Sequence, residues 1–193
     1  DSTSNRAVII DLKEKDPLNL IVSAGYDTIE ELRGKLELYT INLAGTGQRL
    51  GASGRLSFVS RSGGVSFTSP RTFGTRWQTD VNVEGRYLIE PGYDLRRRNA
   101  TVTVGRRLRK HALFRSAFRR EYAEALNINL DDPPDKTSND ISGLSLSVRY
   151  DRRNNLFNAT KGLYAEISTE WGSYSSGAPI AFTRNILSLK YYL

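Results

Sequence analysis

Enzyme chemistry needs side chains that can attack, move a proton or hold a metal, and this sequence is poor in them. There is no cysteine and a single histidine, His111, so thiolate nucleophiles, disulfides, thiolate zinc sites and any histidine pair are out. No G-x-S-x-G elbow, phosphate-cradling glycine loop or metal-ligand cluster stands in the sequence either. The acids of 129–138, with Asp131, Asp132 and Asp135 around Pro133-Pro134, could meet a cation. Their composition reads first as a solvated surface loop. The expectation is a non-enzyme with no catalytic residue, cofactor or metal.

Charge is the next candidate for function. The net charge is +7 and the isoelectric point about 9.7, a balance that raises nucleic acid as a partner. The cations fall in short groups, Arg96-Arg97-Arg98, Arg106-Arg107 and Arg109-Lys110, scattered among alternating segments and beside no recognisable nucleic-acid motif. They read as charges lining a lumen or rim, and no nucleic-acid partner is expected.

The segments that carry these charges have a strict period of two. Leu144, Leu146, Val148 and Tyr150 alternate with Ser145, Ser147, Arg149 and Asp151. After a turn rich in Asn, Thr and Gly the alternation resumes, with Leu163, Ala165, Ile167, Thr169 and Trp171 opposite Tyr164, Glu166, Ser168 and Glu170. Two amphipathic strands around such a turn make a hairpin. The chain has 193 residues, is 38% hydrophobic and has a mean hydropathy of −0.46. No apolar run approaches the ~20 residues of a membrane-spanning helix. A transmembrane strand needs only about 10 alternating residues, so a barrel wall can hide under negative hydropathy.

Two stretches resemble a known family. The run Tyr150-Asp151-Arg152-Arg153-Asn154-Asn155-Leu156-Phe157-Asn158-Ala159-Thr160-Lys161-Gly162-Leu163-Tyr164 resembles the YDxRDNxFxPTxGxY hairpin of the BamA/TamA/Sam/Toc superfamily of outer-membrane insertases. Asn154 stands where Asp is common and Ala159 where Pro is common, the latter leaving the loop less stiff. Near the start, Ala24-Gly25-Tyr26-Asp27-Thr28, Leu32-Arg33-Gly34-Lys35-Leu36 and Asn42-Leu43-Ala44-Gly45-Thr46-Gly47-Gln48-Arg49-Leu50 are similar to the opening GYxT, LRGxL and NLxGxGQRL motifs of the same barrels.

The resemblance implies an all-β fold, a transmembrane antiparallel up-and-down β-barrel with about ten strands of a sixteen-stranded family wall present. It implies that residues 1–16, with the alternating run Ala7 to Lys15, end the last periplasmic POTRA module and that 17–193 form the N-terminal portion of the barrel. In the family the first strand pairs weakly with the last, and a client strand can add to its edge by β-augmentation. That edge maps onto Leu18, Asn19, Leu20, Ile21, Val22, Ser23, Ala24, Gly25 and Tyr26. The periplasmic turn maps onto Asp151, Arg152, Asn155, Phe157, Asn158, Thr160 and Gly162. The implied partners are outer-membrane lipid, unfolded outer-membrane protein clients and accessory assembly subunits. The implied location is the outer membrane of a Gram-negative bacterium, with an organellar outer membrane as the alternative. Besides an insertase, the readings left open are a two-partner-secretion-type transporter, a passive pore and a soluble lipid-binding β-barrel.

Periodicity orders the remaining segments. Strands are expected over 18–26, 32–43 and 50–58, then a turn at Arg61-Ser62-Gly63-Gly64 and a short strand from Val65 interrupted by Pro70. Trp77 to Ile89 alternates cleanly, with Trp77 and Tyr87 suited to two aromatic girdles, and Ala100, Val102 and Val104 carry the next strand. Residues 111–128 have helical spacing, yet the family has a strand there and a strand is expected. A small-residue loop over Gly172 to Ala181 precedes a last strand, Thr183 to Leu193. With the tail at the periplasm, turns 45–47 and 154–162 fall on the periplasmic rim.

Overall fold

A computed structural model describes residues 17–129, 137–176 and 178–193; the expected strand within 1–16 and most of the acidic loop lie outside them. Ten strands follow one another: β1 Leu18–Asp27, β2 Glu31–Leu43, β3 Gln48–Ser57, β4 Ser60–Ser69, β5 Trp77–Glu90, β6 Tyr93–Arg109, β7 Ala112–Leu126, β8 Ser138–Asp151, β9 Gly162–Ser175 and β10 Pro179–Tyr192. They form one sheet in chain order, each antiparallel to the one before. This is the all-β, up-and-down arrangement the alternation implies. The connections alternate between two rims. Those at 44–47, 70–76, 110–111 and 152–161 share the rim where β1 begins, called the lower rim below, and the others lie on the upper rim.

The register sorts side chains by sign. Leu20 lies opposite Leu38, which lies opposite Ala52; Val65 opposes Val83, and Val102 opposes Phe118. The outer face is thereby a continuous apolar band across ten strands. Its members stay open to the surroundings: Val22 is 72% exposed, Leu56 63% and Leu187 75%. Among the described residues no hydrophobic side chain is buried, so the usual dry core is absent and the apolar surface faces outward, as a barrel in hydrocarbon requires. No helix among them is long and apolar enough to cross a membrane.

The inner face is charged and cross-braced. Glu170 on β9, only 4% exposed, accepts from Arg119 Nε of β7 at 2.6 Å and from Arg184 of β10 at 2.6 Å. Arg149 of β8 meets Glu166 of β9 at 3.1 and 3.2 Å, and Arg97 of β6 meets Glu121 of β7 at 3.3 Å. Gly143 makes room for the first of these: a Cβ there would stand 2.7 Å from Glu170 Oε1.

Three expectations are corrected. The turn is not at 61–64 but at Phe58-Val59, where Ser60 N–H donates to Ser57 Oγ at 2.9 Å. Gly63 and Gly64 are laddered in β4, with Gly63 between Gly54 and Gly85, so their glycines serve close strand packing rather than reversal. The loop expected over 172–181 is strand almost throughout: β9 runs to Ser175 and β10 begins at Pro179. Finally, β8 begins at Ser138, six residues before its apolar alternation. In the last two stretches the outward residues include Asp140, Ser142, Ser173 and Ser175, so the strand continues where the hydrophobic contrast fades. Residues 112–126 form β7 despite their helical spacing. The β6 and β8 edges on either side supply the backbone partners that fix it.

Removing the Glu170 carboxylate leaves two facing guanidiniums without their shared acceptor. Glu170→Ala should destabilise the folded protein by about 1.5–3 kcal/mol, read from denaturant midpoints in detergent micelles. Arg120→Ala, which removes an exposed pair to Asp140 on the outer face, should move the midpoint far less.

Candidate functional site

Two places combine the sequence motifs with an unusual backbone situation. The first is β1. Among the described residues it pairs only with β2. Ile41 N–H donates to Pro17 O at 3.0 Å, which makes 17 and 41 a hydrogen-bonded pair. In an antiparallel ladder such pairs alternate with non-bonded ones. With an unbroken register, Asn19, Ile21, Ser23 and Gly25 therefore bond to β2 through both backbone groups. The N–H and C=O of Leu18, Leu20, Val22, Ala24 and Tyr26 point the other way, to the free edge. These are the residues whose side chains face outward. Gly25 lies under Arg33, whose Nε would be 3.1 Å from an added Cβ, and Arg33 in turn pairs with Asp27 at 2.9 Å.

The second place is the β8–β9 hairpin. Asp151 takes Arg153 in a fork, from Nε at 2.9 Å and from the terminal nitrogen at 2.7 Å, and also accepts Arg153 N–H at 3.2 Å. That carboxylate raises the Arg153 guanidinium above its ordinary pKa, and the guanidinium lies 4.8 Å over the Tyr164 ring. Asn154 Oδ1 accepts the Thr160 and Lys161 N–H groups, both at 3.1 Å, while its Nδ2 donates to Thr160 Oγ1 at 2.8 Å. Asn155 Oδ1 accepts from Phe157 and Asn158 N–H at 2.8 and 3.2 Å, an Asx turn. His111 closes the hairpin from the neighbouring turn: its carbonyl accepts Asp151 N–H at 2.8 Å.

The structure thus brings Asp151, Asn155, Asn158, Thr160 and Gly162 into one braced loop. Arg152 contributes its backbone, donating N–H to Leu163 O at 2.8 Å, and Phe157 is fully exposed at the tip. Asn154 and Arg153 were missed as site residues. Asn154 was legible only as a departure from the motif, and Arg153 needed the register that puts Tyr164 beside it. The loop lies on the lower rim and β1 is an edge of the sheet, so the two places are separate. Among the described residues no cluster of His, Asp and Glu could hold a metal.

Gly162 has φ +120°, and a Cβ would overlap the Arg152 carbonyl oxygen and stand 2.8 Å from Arg153 Cα. Gly162→Ala should therefore cost more than about 2 kcal/mol, since left-handed strain and overpacking each contribute about 1–3. Asn154→Asp keeps both accepted N–H bonds and loses only the Nδ2 donor to Thr160 Oγ1, so it should cost under about 1.5 kcal/mol. Denaturant midpoints of the two variants check the order.

A family profile described as the Omp85 superfamily domain matches residues 42–193. Among solved structures, the crystal structure of BamA from Haemophilus ducreyi lacking POTRA domains 1–3 is similar over 93% of this chain, with a TM-score of 0.60 and 15% sequence identity. The chain spans 42% of that structure's length, and at that identity the likeness concerns the fold. No curated protein matches the sequence.

Proposed function

The chain belongs to the Omp85 superfamily, a family of outer-membrane β-barrels for protein insertion and transport, and from that premise we propose that it assembles client barrels by templating their strands on β1. The backbone row at Leu18, Leu20, Val22, Ala24 and Tyr26, which β2 leaves unbonded, supports this reading. In hydrocarbon an unpaired amide costs several kcal/mol, so an incoming strand gains most where such a row waits. A client edge laid antiparallel on β1 would satisfy both rows at once. Side chains of these five residues face outward, so the added strand would be presented directly to lipid.

The remaining parts follow from the same reading. Residues 1–16 would end a POTRA module, in keeping with their alternating sequence and with the POTRA domains named for the similar BamA structure. The braced hairpin at 151–162 would be a periplasmic turn held in fixed shape beneath the barrel. The membrane would be that of a Gram-negative bacterium, and the partners its lipids, unfolded barrel clients and accessory assembly subunits.

Proline substitution separates edge from wall because it deletes one N–H. In Val22→Pro the lost donor points to the free edge, so the barrel should keep its heat-modifiable gel mobility while crosslinking to a client's C-terminal strand disappears. In Ile21→Pro the lost donor belongs to the β1–β2 ladder, so folding itself should suffer, by about 1–3 kcal/mol. The sequence has no cysteine, which makes single introduced cysteines at Leu20 or Val22 clean crosslinking probes. Unchanged client crosslinking in a folded Val22→Pro protein would remove the templating reading.

A further inference from the structure

The outer surface has one cavity at its lower rim that neither the wall nor the strand edge explains. It has a volume of about 720 Å³, within the range of small-ligand sites. Its walls are Phe67 of β4, Trp77 and Thr79 of β5, Val104 of β6, and Phe73 from the β4–β5 turn. Register places the strand residues on the outward face: Ser69 opposes Thr79, Thr79 opposes Val104, and Trp77 opposes Arg106.

Two further features mark it. Phe73 is held at φ 51°, ψ 39°, a left-handed conformation that a bulky residue adopts only at a cost, and it is 98% exposed. The turn thus spends backbone strain to hold an aromatic ring outside the wall, beside Trp77. Trp77 in turn packs edge-on against Phe114 at 6.1 Å. The second feature is charge. The Arg106 guanidinium lies 5.7 Å over the Trp77 ring, and Arg71 and Arg76 flank the turn at its two ends. None of the three pairs with a carboxylate among the described residues.

An apolar, aromatic cavity open to the membrane side, with the uncompensated Arg106 over its Trp77 wall, matches one chemistry. We propose that it is a binding site for an acidic glycerophospholipid, the acyl chain lying against Phe67, Phe73, Trp77 and Val104 and the phosphate headgroup held by Arg106. Trp at the girdle sets the depth. Arginine suits the phosphate because its planar fork bonds two oxygens and stacks on an aromatic face at the same time. The site rests on the membrane-barrel reading but not on strand templating.

Contact quenching tests it. The sequence has two tryptophans, so in this 193-residue chain reconstituted into vesicles a Trp171→Phe background leaves Trp77 as sole reporter. A minority of acyl-brominated acidic phospholipid in zwitterionic lipid should quench Trp77 more than the same fraction of brominated zwitterionic lipid, with a preference of about fivefold for one arginine–phosphate contact. Arg106→Gln should abolish the preference, while Arg120→Gln, on the upper outer face, should leave it intact. Gel mobility reports that each variant is folded. Equal quenching by both lipids, or a preference that survives Arg106→Gln, overturns the site and leaves the barrel standing. No quenching by any brominated lipid overturns both.

Discussion

A peptide backbone in hydrocarbon has no water to bond, and each N–H or C=O left alone there costs several kcal/mol. The arrangement of this chain answers that constraint before any other. Every strand from β2 to β9 is laddered on both sides, in one sheet without crossovers, and the turns that join them carry their own satisfaction. Asx-type acceptors do it at Asn155 and Asp27, and Ser57 does it at the two-residue β3–β4 reversal. Among the described strands only β1 and β10 are laddered on one side.

Once the backbone is settled, side chains have less to decide than in a soluble protein. Among the described residues no apolar side chain is buried, so a dry core does not hold the sheet together; parity does the sorting. Much of the positive charge faces inward, where Glu121, Glu166 and Glu170 meet Arg97, Arg149 and Arg119 across strands. The first two pairs each tie neighbouring strands, and Glu170 on β9 reaches Arg119 of β7 and Arg184 of β10. Part of the basic composition that suggested nucleic acid is thus complemented by acids on the inner face, while Arg96, Arg98, Arg106 and Arg120 share the outward parity of Val102 and Phe118.

Legibility in the sequence followed the lipid. Where one face meets hydrocarbon and the other water, as in β5 or the lower halves of β8 and β9, alternation set strand and face without further help. Above the apolar band the contrast fades: this is why the strand of β8 reads only from Leu144 and Gly172 to Ala181 reads as loop. Gly63-Gly64 failed for a different reason. Paired glycines signal either a reversal or close strand packing, and only the neighbours across the sheet, Gly54 and Gly85, distinguish the two. The helical spacing of 112–126 arose because Phe114, Phe118 and Tyr122 share the outer face while Leu113 and Ala117 lie on the inner one. The motif hairpin was legible residue by residue because its bonds are local. The lipid-side cavity was not, since it joins β4, β5 and β6 through register.

The parity of β1 gives the proposed mechanism its economy. Because bonded and non-bonded pairs alternate in step with inward and outward side chains, the residues that anchor β1 to β2 are Asn19, Ile21, Ser23 and Gly25. Those that offer amides to a partner are Leu18, Leu20, Val22, Ala24 and Tyr26. The anchoring set is polar or small apart from Ile21 and faces the lumen; the offering set is apolar and faces the membrane. An edge of this kind cannot be guarded by the charged or proline residues that soluble proteins use, since a lysine on the offering set would sit in hydrocarbon at a cost of about 2–4 kcal/mol near the midplane. On the proposed mechanism, the affinity of this edge for another strand would follow from its apolar, unguarded outward set, and selection of clients would reside in which strands reach it, at which depth and in which register.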